Sequence, residues 1–209
     1  FVLAEFAAHG APEHITYDAK PHIGTDVLVE VVQSLRREVI VRGGEVRFGH
    51  RVTGLSTEDG RIVALTVRSP EGDYTLPARQ VILAIGHSAR DTFEMLHAQG
   101  VPMEPKPFSM GVRIEHRQSD INTAQYGAAA DRLPAADYSL SCHLPDGSSA
   151  YTFCMCPGGY VMPAASEENG VVTNGMSYAA RGGENANSAL LASENVSRYL
   201  RSTFLTRPS

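Results

Sequence analysis

The sequence predicts an α/β to α+β fold: an α/β first half carrying a β-hairpin insert, then a mainly antiparallel β second half. Three observations carry that prediction. Val27, Leu28, Val31, Val32, Leu35, Val39 and Ile40 recur at helical spacing and stop at Gly43-Gly44. Val81-Ile-Leu-Ala-Ile85 is an unbroken apolar run that meets Gly86 and leads into a second helical pattern. Such a run is what a strand covered on both faces requires. From Phe108 onward the pattern changes to short alternating runs divided by turn residues.

The elements follow in order. Asp18 to Arg42 reads as an entry loop and a helix, with Thr25 or Asp26 as cap and Glu30 in the early turns, where the helix dipole favours an anion. Glu45-Val-Arg-Phe-Gly49 alternates as a short strand does. Val52 to Leu55, Ile62 to Arg68 and Asp73 to Leu76 are further strands, joined by turns at Glu58-Asp-Gly60 and Pro70-Glu-Gly-Asp73. Arg79 to Ile85 is the apolar strand. Ser88 and Asp91 have the spacing of a capping box for a helix through about Ala98, ended by Gly100. Val101 to Pro107 holds three prolines in seven residues, which stops regular structure. The domain division is placed there, at 1–106 and 107–209.

Beyond it, Phe108 to His116 reads as a strand and Ser119 to Arg132 as a loop with a helical turn. Tyr138–Leu144 with Ala150–Cys156, and Tyr160–Ala165 with Gly170–Asn174, read as hairpins. Ser193 to Leu205 has weak helical spacing.

Composition sets bounds on function. Of 209 residues, 43% are apolar and 20% charged, an ordinary globular balance. A net charge of −5 argues against a nucleic-acid or anionic-membrane surface, which needs a basic patch. The apolar runs are too short to span a bilayer. Phe1-Val-Leu-Ala-Glu5 does not read as a signal peptide, and a first residue other than Met is expected from processing or an internal start. Three cysteines, Cys142, Cys154 and Cys156, form no disulfide framework, so a reducing cytoplasmic compartment is expected. Cys154-Met-Cys156 is too tight for the usual zinc pair, and no metal cluster is expected.

Local chemistry singles out a few side chains. Lys20, His22 and Thr25 precede a helix N-terminus, a natural place for an anionic group, or simply an exposed loop. Cys154 and Cys156 alternate in a strand and would share a face. They read as a redox pair, as pocket lining, or as two small buried hydrophobes, which an apolar setting would leave inert. Arg113, Glu115 and His116 read as acid–base or anchoring groups, or as a salt-bridged strand surface. No Ser-His-Asp set has local support.

Six strings together resemble a family of bacterial FAD-dependent dehydrogenases. They are Lys20-Pro-His-Ile-Gly-Thr-Asp26, Arg42-Gly-Gly-Glu-Val-Arg-Phe48, Ala84-Ile-Gly-His-Ser-Ala-Arg-Asp91, Lys106-Pro-Phe-Ser-Met-Gly-Val-Arg-Ile-Glu-His116, Cys154-Met-Cys-Pro-Gly-Gly159 and Thr173-Asn-Gly-Met-Ser-Tyr178. The resemblance runs from about residue 15 to Ala192. It implies the later part of an FAD-binding, Rossmann-like domain, followed by a β-rich substrate domain. It implies Val52, Ala84, Gly86, His87 and Ser88 as cofactor-binding positions. Lys20, His22, Arg113, Cys154 and Cys156 are the candidate substrate residues.

The resemblance also implies a small-molecule substrate and makes NAD(P)H a candidate electron donor. The family's phosphate-binding glycine loop is expected before Phe1, and its late flavin-closing segment after Ser209. A Gly-x-Gly-x-x-Gly loop cradles pyrophosphate with backbone N–H groups and a helix N-terminus, and none occurs in this sequence. FAD is therefore expected in the longer parent and weakly or not at all on this chain alone. An uncovered Val81–Ile85 run would favour self-association. The rival expectation is a non-catalytic binding domain derived from a flavoprotein fold.

Overall fold

The computed structural model describes residues 1–106, 108–145, 147–166 and 168–194. In chain order the elements are α1 (Val2–Ala8), α2 (Thr25–Val41), β1 (Arg51–Glu58), β2 (Arg61–Ser69), β3 (Gly72–Pro77), α3 (Arg90–Ala98), β4 (Phe108–Arg117), α4 (Gln118–Tyr126), β5 (Ser141–His143), β6 (Ser149–Cys156), β7 (Gly159–Pro163), β8 (Thr173–Ser177) and β9 (Asn185–Glu194). They form two units: residues 1–42 with the described residues from 106 onward, and residues 43–105. The grouping follows contacts rather than chain order, so α1 and α2 belong with the strands after Lys106. The chain is mixed α/β, and every paired strand among the described residues is antiparallel.

In the first unit, α2 buries Val31 completely against Ile15 and Ala11, with Leu3, Phe6, Ile23, Val27 and Leu35 packed around them. Val27, Val31 and Leu35 are four apart and share a helix face. Burying Ile15 and Val31 stabilises the unit by roughly 1.5–3 kcal/mol each. The helix ends at Arg42, where Gly43 takes a φ of +85°, as a left-handed stop requires. A second apolar side of α2, with Val29, Val32 and Ile40, stays exposed.

A four-stranded sheet runs in the order β4-β9-β6-β5, with β7 and β8 as a separate pair. β9, last in the chain, lies between β4 and β6 and pairs with β4 along its whole length, from Phe108↔Glu194 to Arg117↔Asn185. The second unit is the antiparallel meander β1-β2-β3 followed by α3. Asp59 and Gly60 both have positive φ in the β1–β2 turn, the geometry that closes a two-residue hairpin. Its buried apolar side chains are Leu65, Val67 and Leu96.

The structure corrects several expectations. Residues 45–49 and 79–86 form no strand. A strand is a member of a sheet, and the sheets β1-β2-β3, β4-β9-β6-β5 and β7-β8 include neither segment. Val81–Ile85 is therefore not covered on both faces: Ile82 is 92% exposed and Leu83 50%. Neither Thr25 nor Asp26 caps α2; Thr25 Oγ1 donates to the Ser177 carbonyl (3.2 Å), and Asp26 Oδ1 accepts from the Ala179 N–H (2.9 Å). The Ser88–Asp91 capping box does not form, because Asp91 pairs with Arg51 on β1. Of the expected helix at Ser193–Leu205, residues 193 and 194 end β9 and the rest lies outside the described residues. No helix among the described residues is long and apolar enough to cross a membrane.

Candidate functional site

A cleft of about 460 Å³ opens in the first unit, where the loop before α2 meets β8 and the end of β6. His22, Thr25, Cys156, Gly175 and Arg181 supply its polar lining, and Leu3, Phe6, Leu28, Met155 and Met176 its apolar lining. The volume is within the range of small-molecule sites.

Three hydrogen bonds hold the α2 start against the β8 exit. Besides those of Thr25 and Asp26, His22 Nε2 meets the Tyr178 carbonyl at 3.0 Å. Gly24 permits this approach: its φ is +92°, and a Cβ there would strike the Ala179 backbone. The Asp26 carboxyl is held below its usual range, chiefly by the Ala179 N–H it accepts.

Pro157-Gly-Gly159 is buried beside the cleft. A Cβ on Gly158 would overlap the Arg181 carbonyl, and one on Gly159 would come within 2.5 Å of the Met176 carbonyl. The Gly158 N–H donates to Gln118 Oε1 (2.8 Å), and its carbonyl accepts from the Gly183 N–H (3.0 Å). Gln118 Nε2 in turn donates to the Ala136 carbonyl at 2.9 Å. This turn fixes the end of β6 and the Arg181 loop in register.

The cysteines do not alternate as expected. The register with β9 shifts between Phe153 and Cys156, and Cys154 takes a φ of +49°. A bulge adds a residue and re-aims the chain, so the two thiols lose a shared strand face. Cys154 is exposed and Cys156 half-buried on the cleft. Cys156 Sγ donates to the Cys154 carbonyl at 3.2 Å. Burial pushes the Cys156 thiol above its usual range, and the Arg113 and Arg181 charges only partly oppose this. A raised thiol is neutral at pH 7 and a poor nucleophile.

Arg113 extends from β4 behind the cleft, donating through Nη1 to Asn187 Oδ1 (2.7 Å) and the Cys154 carbonyl (3.3 Å). Asn187 is fully buried on β9. Glu115 is exposed. His116 lies on the opposite sheet face from Arg113, and its Nε2 is 2.6 Å from the Tyr138 hydroxyl, which burial pushes up. Lys20 pairs with Asp137 at 2.9 Å on the surface and does not line the cleft; exposed pairs contribute about 0–1 kcal/mol. The structure thus brings His22, Cys156 and, one layer back, Arg113 together, and leaves Lys20 and Cys154 outside. Sequence reasoning missed Arg181 and Asn187, which carry no local signal. Gly175 lay within a matched string without being singled out.

The five cofactor positions are all in the second unit. Val52 on β1 lines a cavity with Arg47, His50 and Tyr74. Arg47 Nη1 donates to the Tyr74 hydroxyl at 2.8 Å, and the His50 ring stands edge-on to Tyr74 at 5.9 Å. Ala84 and Gly86 line a different, mainly apolar cavity with Phe93, Leu96 and Met103. Gly86 has a φ of +69° with open space at its Cβ position. His87 and Ser88 are exposed. These residues offer apolar walls and an open glycine but no strand–glycine loop–helix cradle for a pyrophosphate. They do not fit FAD by themselves. Among the described residues no His, Cys, Asp or Glu group could hold a metal ion.

Residues 107–206 match a family model described as "FAD-dependent protein, C-terminal domain-like". The chain is also 46% identical, over 194 residues, to an uncharacterized protein of Clostridium beijerinckii. That alignment covers 91% of the chain and 36% of the relative, so the chain spans little more than a third of the curated relative's length. The comparisons support an FAD-dependent family at a coarse level and FAD in related proteins.

Proposed function

We propose that this chain is the substrate-side region of a flavin-dependent oxidoreductase and contributes part of the FAD site in a longer parent. The match of residues 107–206 to the FAD-dependent C-terminal family carries this reading. Two features of the fold support it. Segment 79–86 has a strand-like sequence but belongs to none of the sheets among the described residues, and α2 keeps an exposed apolar side. Both are accounted for if the parent supplies neighbouring strands and a phosphate loop. In that reading the substrate domain begins after Lys106, and Val52, Ala84, Gly86, His87 and Ser88 meet the cofactor. The flavin supplies the redox chemistry, and the protein positions substrate. We place the protein in the cytoplasm.

Anaerobic mixing of the purified parent with NADH and with NADPH tests the enzyme reading. Bleaching of the bound flavin by either donor is the expected result. A flavin that dithionite bleaches but neither NADH nor NADPH reduces would count against a nicotinamide donor, and a parent that holds no flavin would favour a non-catalytic binding domain.

A further inference from the structure

Behind the lining of the first-unit cleft lie two buried hydrogen-bond donors without an acceptor among the described residues. Asn187 is 0% exposed, and its Nδ2 has no partner among the described residues; the same holds for buried Nε of Arg113. Arg113 donates to Asn187 Oδ1, which fixes the amide orientation and leaves Nδ2 as the spare donor. A buried donor without an acceptor is destabilising unless a partner arrives. Gly175 lines the cleft, and a Cβ there would meet Asn187 Oδ1, Arg113 Nη1 and Cys156 Sγ. The polar pair therefore packs directly behind the cleft wall.

The charge around this wall is one-sided. Arg181 lines the cleft, and its guanidinium and that of Arg113 both act on the Cys156 thiol. No Asp or Glu lines the cleft among the described residues. Asp26 already occupies the positive end of α2, so that end is not counted. The backbone adds an independent sign. Cys154 and Arg181 hold φ of +49° and +48° outside the Asn, Asp and Gly positions where such angles are ordinary. Backbone strain of this kind clusters at ligand sites. The lining is also apolar in part, with Leu28, Met155 and Met176.

We propose that this cleft binds a small organic anion, its oxyanion head drawn to Arg181 on the lining, with the Arg113 charge behind Gly175 adding to the attraction, and its apolar body lying along Leu28, Met155 and Met176. The proposal names the substrate class for the substrate-side reading above. It uses none of the flavin residues, so the two readings fail separately.

Hexanoate, hexanamide and inorganic phosphate are the probes, titrated into the intact chain and followed by amide NMR shifts. Hexanoate is expected to bind saturably and to move the amides of Gly175, Cys156 and Arg181. Hexanamide should bind about tenfold more weakly or worse, since charge-assisted hydrogen bonds are about twice as strong as neutral ones. Phosphate, which has no apolar body, should also be at least about tenfold weaker than hexanoate. Arg181→Gln should remove the preference for hexanoate over hexanamide. Absence of saturable hexanoate binding, equal binding of acid and amide, or phosphate binding as tightly as hexanoate would each overturn the proposal. The comparison of acid with amide needs no variant, so it stands even if Arg181→Gln does not fold.

Discussion

Gly158→Ala tests the turn that holds the candidate cleft together. Gly158 has a φ of +51°, and an L-residue in that region costs about 1–2 kcal/mol. The added methyl would overlap the Arg181 carbonyl, and relieving an overpacked contact costs roughly 1–3 kcal/mol more. The shift would also strain the hydrogen bonds to Gln118 and Gly183. The sum is roughly 2–5 kcal/mol, a large share of a typical stability of about 5–15 kcal/mol. Gly60→Ala is the control: its φ is +72°, with nothing within 4 Å of the added carbon, so only the conformational cost of about 1–2 kcal/mol applies. Urea denaturation followed by circular dichroism measures both, and amide exchange at Gly158 and Gly183 locates the loss. If Gly158→Ala is no more destabilising than Gly60→Ala, the packing of this turn against the Arg181 loop is wrong.

Three further outcomes are expected. Iodoacetamide at neutral pH should alkylate Cys142 and Cys154 before Cys156, with Cys156 reacting only as the pH rises past the ordinary thiol range; peptide mass mapping reads the order, and preferential labelling of Cys156 would contradict its raised pKa. The Ala179 N–H holds the Asp26 carboxyl below the usual carboxylate range, so its contribution to stability is present above its unfolded value and lost as pH falls through its depressed folded value. Asp26→Asn should therefore flatten the acid limb of the stability curve, and an unchanged limb would remove the Ala179 contact from the account. We also propose that the exposed run at Ile82 drives self-association. Ile82→Lys should lower the sedimentation coefficient at high concentration, and a monomeric unsubstituted chain under the same conditions would refute this.

Much of the fold is legible where local signals and tertiary demands agree. The β1-β2-β3 meander follows from β-forming runs around Asp59-Gly60 and Gly72, whose backbones take the positive φ that those turns need. β9 is not legible. Asn185-Ala-Asn-Ser-Ala-Leu-Leu-Ala has no clean alternation, and its place is set by β4 and β6 on either side. Side chains with strong capping signals were claimed by longer-range partners: Asp91 by Arg51, Thr25 by Ser177 and Asp26 by Ala179. The same holds for the cleft. His22 and Cys156 stand out in the sequence by chemistry, but Arg181 and Asn187 acquire meaning only when β8 and β9 bring them beside Gly175. The apolar run at Val81 shows the limit of local pattern, because a strand is a property of two segments and this one pairs with no described strand.

The most direct test of the flavoprotein reading is flavin content. The intact chain and the product of its full reading frame are purified in parallel, and bound flavin is quantified by visible absorbance after release from the protein. The expected result is stoichiometric FAD on the longer product and little or none on this chain. A longer product without flavin would contradict the assignment to an FAD-dependent parent, and stoichiometric FAD on this chain alone would contradict the partial site.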